Sequence, residues 1–333
     1  MPMSATTRML ATSRGLLIGA AALAGLAVTN TILARRAERQ HPPKGRFITV
    51  DGVRLHYTDH GRGQPILLIH GNAVSGEDYE TSGLAARLRE RHRVIIIDRP
   101  GFGHSERPRG RLWTAMEQAV LLRRAMHQIG VERPIVVGHS WGAIVALSLA
   151  ARYPAETAGL VVLSGYYHWT LRPDVLLVVP GAVPVLGDLL RYTISPALGW
   201  LLMPLLKRGM FSPAPIPARF RAEYSNAMAL RPSQIRATST DGALMIAGAL
   251  QLRDDYATLP MPVAILAGEG DKVVFAKRAR RLHAEIPGST LEVLPYVGHM
   301  VHHSALEEVA TAVERVAAAA FPNIVPGVMN QAA

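Results

Sequence analysis

A chain of 333 residues has room for one large or two ordinary domains, and an apolar share of 49% is enough to fill a sheet covered on both faces. With no cysteine, disulfides, thiolate metal centres and a cysteine nucleophile are all excluded. Of the net charge of +11, +6 sits in residues 1–46, where seven Lys/Arg face one acid; no basic patch interleaved with aromatics follows, so nucleic acid is not an expected partner.

Those N-terminal charges bracket Gly15 to Ala34, twenty residues without a charge, between Arg14 and Arg35-Arg36. Such a run spans a hydrocarbon core of about 30 Å. It reads as a single-pass membrane anchor; a cleaved export signal, with small residues such as Gly25 and Ala27 offered to a peptidase, is the rival. More Lys/Arg follow the span than precede it, so positive-inside counting keeps the remainder of the chain on the cytoplasmic side.

Arg35 to Lys44, with Pro42-Pro43, reads as a juxtamembrane linker, and Phe47 to Asp59 as a hairpin around Asp51-Gly52. Strands are predicted near 65–70 and 93–98, with a helix at about 77–91 between them. The first strand ends in His70-Gly71-Asn72-Ala73, where a glycine lets the backbone bend and turn a following N–H, that of Asn72, toward a substrate carbonyl. A helix over Arg111 to Gly130 precedes the apolar run Ile135-Val136-Val137. There Gly138-His139-Ser140-Trp141-Gly142 places a serine between two glycines at a strand-to-helix turn. Ser140 is the candidate nucleophile, and the Trp141 N–H the second oxyanion donor.

After a strand at 160–164, about a hundred residues intervene before the next core strand at 263, which reads as a helical cap. Residues 175–206 hold only Asp188 and Arg191 as charges, and neither charge-free run there reaches a spanning length. Short apolar cap helices are expected, over a hydrophobic substrate or against the bilayer. Tyr166, Tyr167, His168 and Trp169 stand at the cap's start, to line a pocket or to pack. The strand Val263 to Gly268 then delivers Asp271, the candidate acid, and the strand Leu291 to Leu294 leads to His299, the candidate base.

At these residues the chain resembles the α/β-hydrolase superfamily, over about residues 46 to 320. The resemblance rests on His70-Gly71-Asn72, the Asp98-Arg99-Pro100-Gly101-Phe102-Gly103-His104-Ser105 loop, the elbow, Gly268 to Asp271, and Gly298-His299. It implies an α/β fold: a mostly parallel sheet with helices on both faces and a helical cap insertion, here preceded by a transmembrane helix. The expected division is 1–34 anchor or signal, 35–46 linker, 47–164 first part of the core, 165–260 cap, 261–322 second part of the core, and 323–333 tail. The nearest resemblance is to serine esterases, haloperoxidase-type hydrolases and C–C hydrolases. Epoxide hydrolases and haloalkane dehalogenases share several motifs but use an aspartate nucleophile where this chain has Ser140. In the resembling motif the acid stands three residues after the glycine, which favours Asp271 over Glu269, and His70, His104, His139, His302 and His303 are less suited than His299 to be the base.

A serine hydroxyl needs a base, and the base needs an orienting acid. The triad Ser140, His299 and Asp271 with donors at Asn72 and Trp141 therefore predicts a hydrolase that cleaves an ester or related acyl bond of a hydrophobic small molecule, of the carboxylic-ester class. An acyltransferase or C–C hydrolase with the same triad, or a non-catalytic accessory protein, are the alternatives. No cofactor, no metal and no obligate protein partner are expected.

Overall fold

The computed structural model describes residues 5–170, 178–252 and 254–322, with side chains from Gly15 onward. Asp174, the first residues of the run beginning at Val175, and the tail 323–333 lie outside the described residues.

Eight strands form one sheet: β1 (Arg46–Val50), β2 (Val53–His60), β3 (Pro65–Ile69), β4 (Arg93–Ile97), β5 (Ile135–His139), β6 (Gly159–Leu163), β7 (Val263–Gly268) and β8 (Thr290–Leu294). Their spatial order is β1-β2-β4-β3-β5-β6-β7-β8, with β1 and β2 antiparallel to each other, β2 antiparallel to β4, and the rest parallel. The central strands are apolar runs because both faces are covered. Leu67, Ile69, Val136, Leu160 and Ile265 point to one face, against the helices Ala115–Gln128 and Trp141–Arg152. Ile66, Leu68, Val137, Val161 and Leu266 alternate to the other, against Leu84, Leu88, Val309 and Val313. A side chain such as Leu67 or Ile66, fully withdrawn from water, contributes about 1.5–3 kcal/mol.

Chain order reverses between β3 and β5, since β4 lies on one side of β3 and β5 on the other. At that switch point the loops after the two strands diverge and leave a crevice. The loops after β3, β5, β7 and β8 carry His70-Gly71-Asn72, Ser140, Asp271 and His299, so topology alone brings these residues to one end of the sheet.

Three elements differ in detail from the sequence reading. The N-terminal helix runs from Ala5 to Gln40, through Arg35-Arg36, where a linker was expected to begin. The helix expected over 77–91 is two, Glu77–Ser82 and Leu84–Arg89, separated at Gly83, whose φ of 89° is left-handed and ends the first helix. Between β6 and β7 the insertion holds the helices Leu186–Tyr192, Ile194–Phe211 and Pro232–Leu252. The second of these is 18 residues long with Pro204 inside it, longer than the short helices expected. Among the described residues one helix, Gly15–Gln40, is long and apolar enough by itself to cross a membrane.

Candidate active site

Ser140 joins β5 to the helix Trp141–Arg152 with φ 53° and ψ −118°, a conformation that costs an L-residue energy and lifts its side chain out of the turn. The turn is tight enough to exclude side chains on either flank. A Cβ at Gly138 would lie 2.6 Å from the Gly142 carbonyl oxygen, and one at Gly142 would lie 2.2 Å from that of Ile69. The serine N–H donates to the Leu163 carbonyl oxygen at 2.9 Å, which ties the elbow to β6.

His299 brings Nε2 to 2.9 Å from Ser140 Oγ and Nδ1 to 2.8 Å from Asp271 Oδ2. The other Asp271 oxygen, Oδ1, accepts the N–H groups of Val273 and Val274, each at 2.8 Å. The carboxylate is thereby fixed with one oxygen aimed at the imidazole, which places the ring proton on Nδ1 and leaves Nε2 able to accept from serine. Both partners are buried, whereas Glu269, the other acid on this loop, is exposed. His299 is held in place by its own backbone as well. Its N–H donates to the Met210 carbonyl oxygen at 2.8 Å, so the end of the helix Ile194–Phe211 rests on the histidine loop.

The other histidines of the site are turned to support. His139 Nε2 donates to the His299 carbonyl oxygen at 3.0 Å, joining the strand that carries Ser140 to the loop that carries its partner. Burial, then the nearby His302 and His299, hold the His139 imidazole well below its ordinary pKa, so it stays neutral. His302 and His303 donate through Nε2 to the two oxygens of buried Asp78, at 2.7 and 2.8 Å. Among the described residues Asp78, His139 and His302 form the one group of three or more side chains with metal-ligand chemistry, their candidate atoms lying within 4.8 Å of one another. Both Asp78 oxygens are already engaged by histidine N–H groups, an arrangement of a hydrogen-bonded cluster. His104 is half-buried and lies beside His56; Asp98 accepts from His56 Nδ1, from the Gly76 N–H and from the His104 N–H, shaping the loops around it.

The loop after β3 passes directly over the elbow, where a Cβ at Gly71 would lie 3.0 Å from Ser140 Cβ. Among the described residues no acceptor takes the backbone N–H of Asn72 or of Trp141. The loop is braced from beneath by Arg99, which is fully buried. Its guanidinium donates to the carbonyl oxygens of His70 and Gly71 at 2.8 and 3.0 Å and to Asn72 Oδ1 at 2.7 Å. The Arg99 N–H donates to His70 Nε2 at 2.9 Å, so that ring carries its proton on Nδ1, which faces the Gly71 carbonyl oxygen. Burial, then the neighbouring Arg99 charge, pushes His70 down to about 4.

The countercharge to Arg99 comes from the insertion. Asp241, in the helix Pro232–Leu252, meets Arg99 Nη1 at 2.5 Å and Arg107 Nη1 at 2.8 Å, and its carbonyl oxygen accepts the Trp141 indole N–H at 3.0 Å. Sequence reasoning missed this pair. An aspartate interrupting the apolar end of a helix (Asp241-Gly242-Ala243-Leu244-Met245-Ile246) was the available signal, without a partner to assign to it. Of the four residues at the start of the insertion, Tyr166 and Tyr167 are core packing, His168 pairs with Glu285 at 2.7 Å, and Trp169 is exposed.

Comparison with known proteins agrees with this architecture. A haloalkane dehalogenase 2 from Mycobacterium tuberculosis is 28% identical over 292 residues, covering 82% of this chain and 94% of that one. An esterase from Thermogutta terrifontis matches in structure with a TM-score of 0.61 at 20% identity, covering 81% of this chain and 97% of that one. A membrane phospholipase A matches with a TM-score of 0.64 at 21% identity, covering 96% and 98%. The model of the alpha/beta hydrolase family matches residues 66–312, from β3 into the final helix, and the chain belongs to that family.

Proposed function

We propose that the protein is a serine hydrolase that cleaves a carboxylic ester, or a related acyl bond, of a hydrophobic molecule through an acyl-enzyme on Ser140. The observation that carries this reading is the unbroken series from Ser140 Oγ to His299 Nε2 and from His299 Nδ1 to Asp271, at 2.9 and 2.8 Å. As Oγ attacks the substrate carbonyl, His299 takes its proton at Nε2, and the adjacent Asp271 carboxylate stabilises the imidazolium that results. The oxyanion lies against the N–H groups of Asn72 and Trp141, held rigid by Arg99 beneath one and by the helix start at the other; a donor of this kind lowers the barrier by roughly 3–4 kcal/mol. His299 then returns the proton to the leaving alcohol and activates water to release the acid.

Dehalogenation fits less well. Displacing a halide calls for a carboxylate nucleophile of the kind Ser140 replaces, and the Trp141 indole N–H is committed to Asp241. The segment between β6 and β7 acts as the cap over this site, and Gly15 to Ala34 holds the chain in a membrane, with the basic stretch after it favouring the cytoplasmic side.

A fluorophosphonate, which esterifies activated serines, tests the assignment. It is expected to label the wild-type chain once and to spare Ser140→Ala, which also loses turnover of a short-chain p-nitrophenyl ester. Labelling of Ser140→Ala equal to wild type removes Ser140 from the mechanism.

A further inference from the structure

The outward face of the insertion is apolar where water would demand polar residues. Along the helix Ile194–Phe211, Pro196 and Met203 turn inward, while Ile194, Leu198, Leu201 and Leu205 are at least half exposed, Leu201 at 76%. Val185 and Leu189 extend the patch onto the helix Leu186–Tyr192, which meets the longer one at a bend of 60°. A surface helix in water carries its polar residues outward. This one has no charged residue from Tyr192 to Leu206, and its first charges, Lys207 and Arg208, come near its end.

The N-terminal helix says what covers this face. Asn30 lies within the charge-free run, five residues before Arg35, and its Nδ2 donates to the carbonyl oxygens of Tyr192 and Thr193 at 2.8 and 2.9 Å. At 1.5 Å per residue, Asn30 is about 7.5 Å along the helix from the first arginine that must stay at the aqueous boundary. The bend between the two insertion helices therefore lies at the same depth, inside the range of about 5–10 Å at which interfacial helices rest. The bonds make sense at that depth. Two helix-terminal carbonyls and a side-chain amide, each costly to leave unpaired away from water, satisfy one another. Exposed Leu26, Ile32 and Leu33 on the same N-terminal helix continue the apolar surface.

We infer that the helices Leu186–Tyr192 and Ile194–Phe211 form a second membrane contact, sunk into the headgroup and acyl boundary of the bilayer that Gly15 to Ala34 spans. Because the same helix ends on the His299 loop, the inference extends to the substrate: an ester reaching Ser140 from that lipid surface. The inference rests on the reading of the anchor and, for its activity arm alone, on the reading of Ser140.

The absence of native cysteine makes the test direct. Single cysteines at Leu26, Leu201 and Glu132, the last exposed at the opposite end of the strands, carry an environment-sensitive fluorophore on the full chain in phosphatidylcholine–phosphatidylglycerol vesicles. Nitroxide lipids are expected to quench the Leu26→Cys probe at depth and the Leu201→Cys probe at the shallow acyl positions, and to leave Glu132→Cys in water. The pattern is expected to be the same on a Ser140→Ala background, which separates docking from catalysis. A quenched Leu26 probe beside an unquenched Leu201 probe overturns the second contact while the anchor stands; two unquenched probes overturn both. A Leu201 probe that is dry yet unquenched shows a second copy of the chain on this face and also overturns it. In the activity arm, Leu201→Glu with Leu205→Glu is expected to cut hydrolysis of a vesicle-borne long-chain ester about tenfold or more and to leave turnover of a water-soluble ester unchanged. Equal losses on both substrates count against delivery from the bilayer.

Discussion

Two carboxylates leave the loop after β7, and their surroundings divide the work between them. Asp271 is buried, held by two backbone N–H groups and bonded to His299, while Glu269 is in solvent. Asp271→Asn is expected to reduce kcat by several orders of magnitude, because it forces the wrong imidazole tautomer, and Glu269→Gln to leave it nearly unchanged; steady-state kinetics on a short ester distinguish the two. Asp271→Asn combined with His299→Ala is expected to cost little more than the worse single change, since in the proposed mechanism both belong to one proton-transfer unit. His70 gives a pH dependence of a different kind. Its folded value of about 4 lies below the ordinary 6.5, so between those limits the unfolded chain binds a proton that the folded one refuses. Stability is therefore full above about pH 6.5 and falls as the pH drops toward 4, by roughly 3 kcal/mol from this group. Urea midpoints measured from pH 7.5 to 4.5 are expected to decline, and His70→Asn to start lower at neutral pH and decline less steeply. Ser140, Asp271 and His299 were legible because each follows a short apolar strand, and such strands announce themselves in sequence. Asp78 and Asp241 were not, because their partners are far away in the chain.

At the scale of elements, what holds the insertion to the core is mainly the helix Pro232–Leu252. Its Asp241 is buried between Arg99 and Arg107, and Arg99 in turn supports the loop that carries Asn72. Removing the aspartate strands two guanidinium groups away from water, which costs about 3–5 kcal/mol for a buried pair broken on one side. Asp241→Ala is expected to lower the urea midpoint by that order and, in the molecules still folded, to reduce kcat more than it raises KM, because the loop of Asn72, the proposed oxyanion donor, loses the brace that Arg99 gives it. A drop in stability with unchanged kcat confines Asp241 to a packing role. The helices themselves show how far periodicity carries. The helix predicted over 77–91 breaks at Gly83 because the turn there demands a left-handed residue, and the helix predicted to stop at Arg35 continues to Gln40 because its last turns pack against the insertion. Ala37 is buried there, and Glu38 pairs with Arg231 at 2.8 Å.

For the molecule as a whole, the apolar N-terminal helix, long enough to cross a membrane, is the feature to test. A span held by burial rather than by charge resists salt and alkali. The full chain is expected to stay in the pelleted membrane through high-salt and carbonate washes, and a chain beginning at Gly45 to turn over a short ester as the full chain does under the proposed function. A mature protein whose intact mass starts after about residue 27 and which washes into the soluble fraction identifies the segment as a cleaved export signal. The charge of the chain fits the first outcome, since more than half of it lies in the residues that flank the span.

The sequence by itself determined the fold class, singled out the three residues Ser140, His299 and Asp271 that the fold brings together, and gave the apolar character of the N-terminal run and the insertion. All of these are local signals: an apolar run, a glycine pair, a chemical group just past a strand's end. Only the tertiary structure decided that Asp241 meets Arg99, 142 positions away. It also decided that His139 ties the elbow to the His299 loop and that Asn30 bonds the N-terminal helix to the bend of the insertion. Each of these joins residues more than a hundred positions apart, and a buried polar group does not reveal its partner until the fold has taken both out of water.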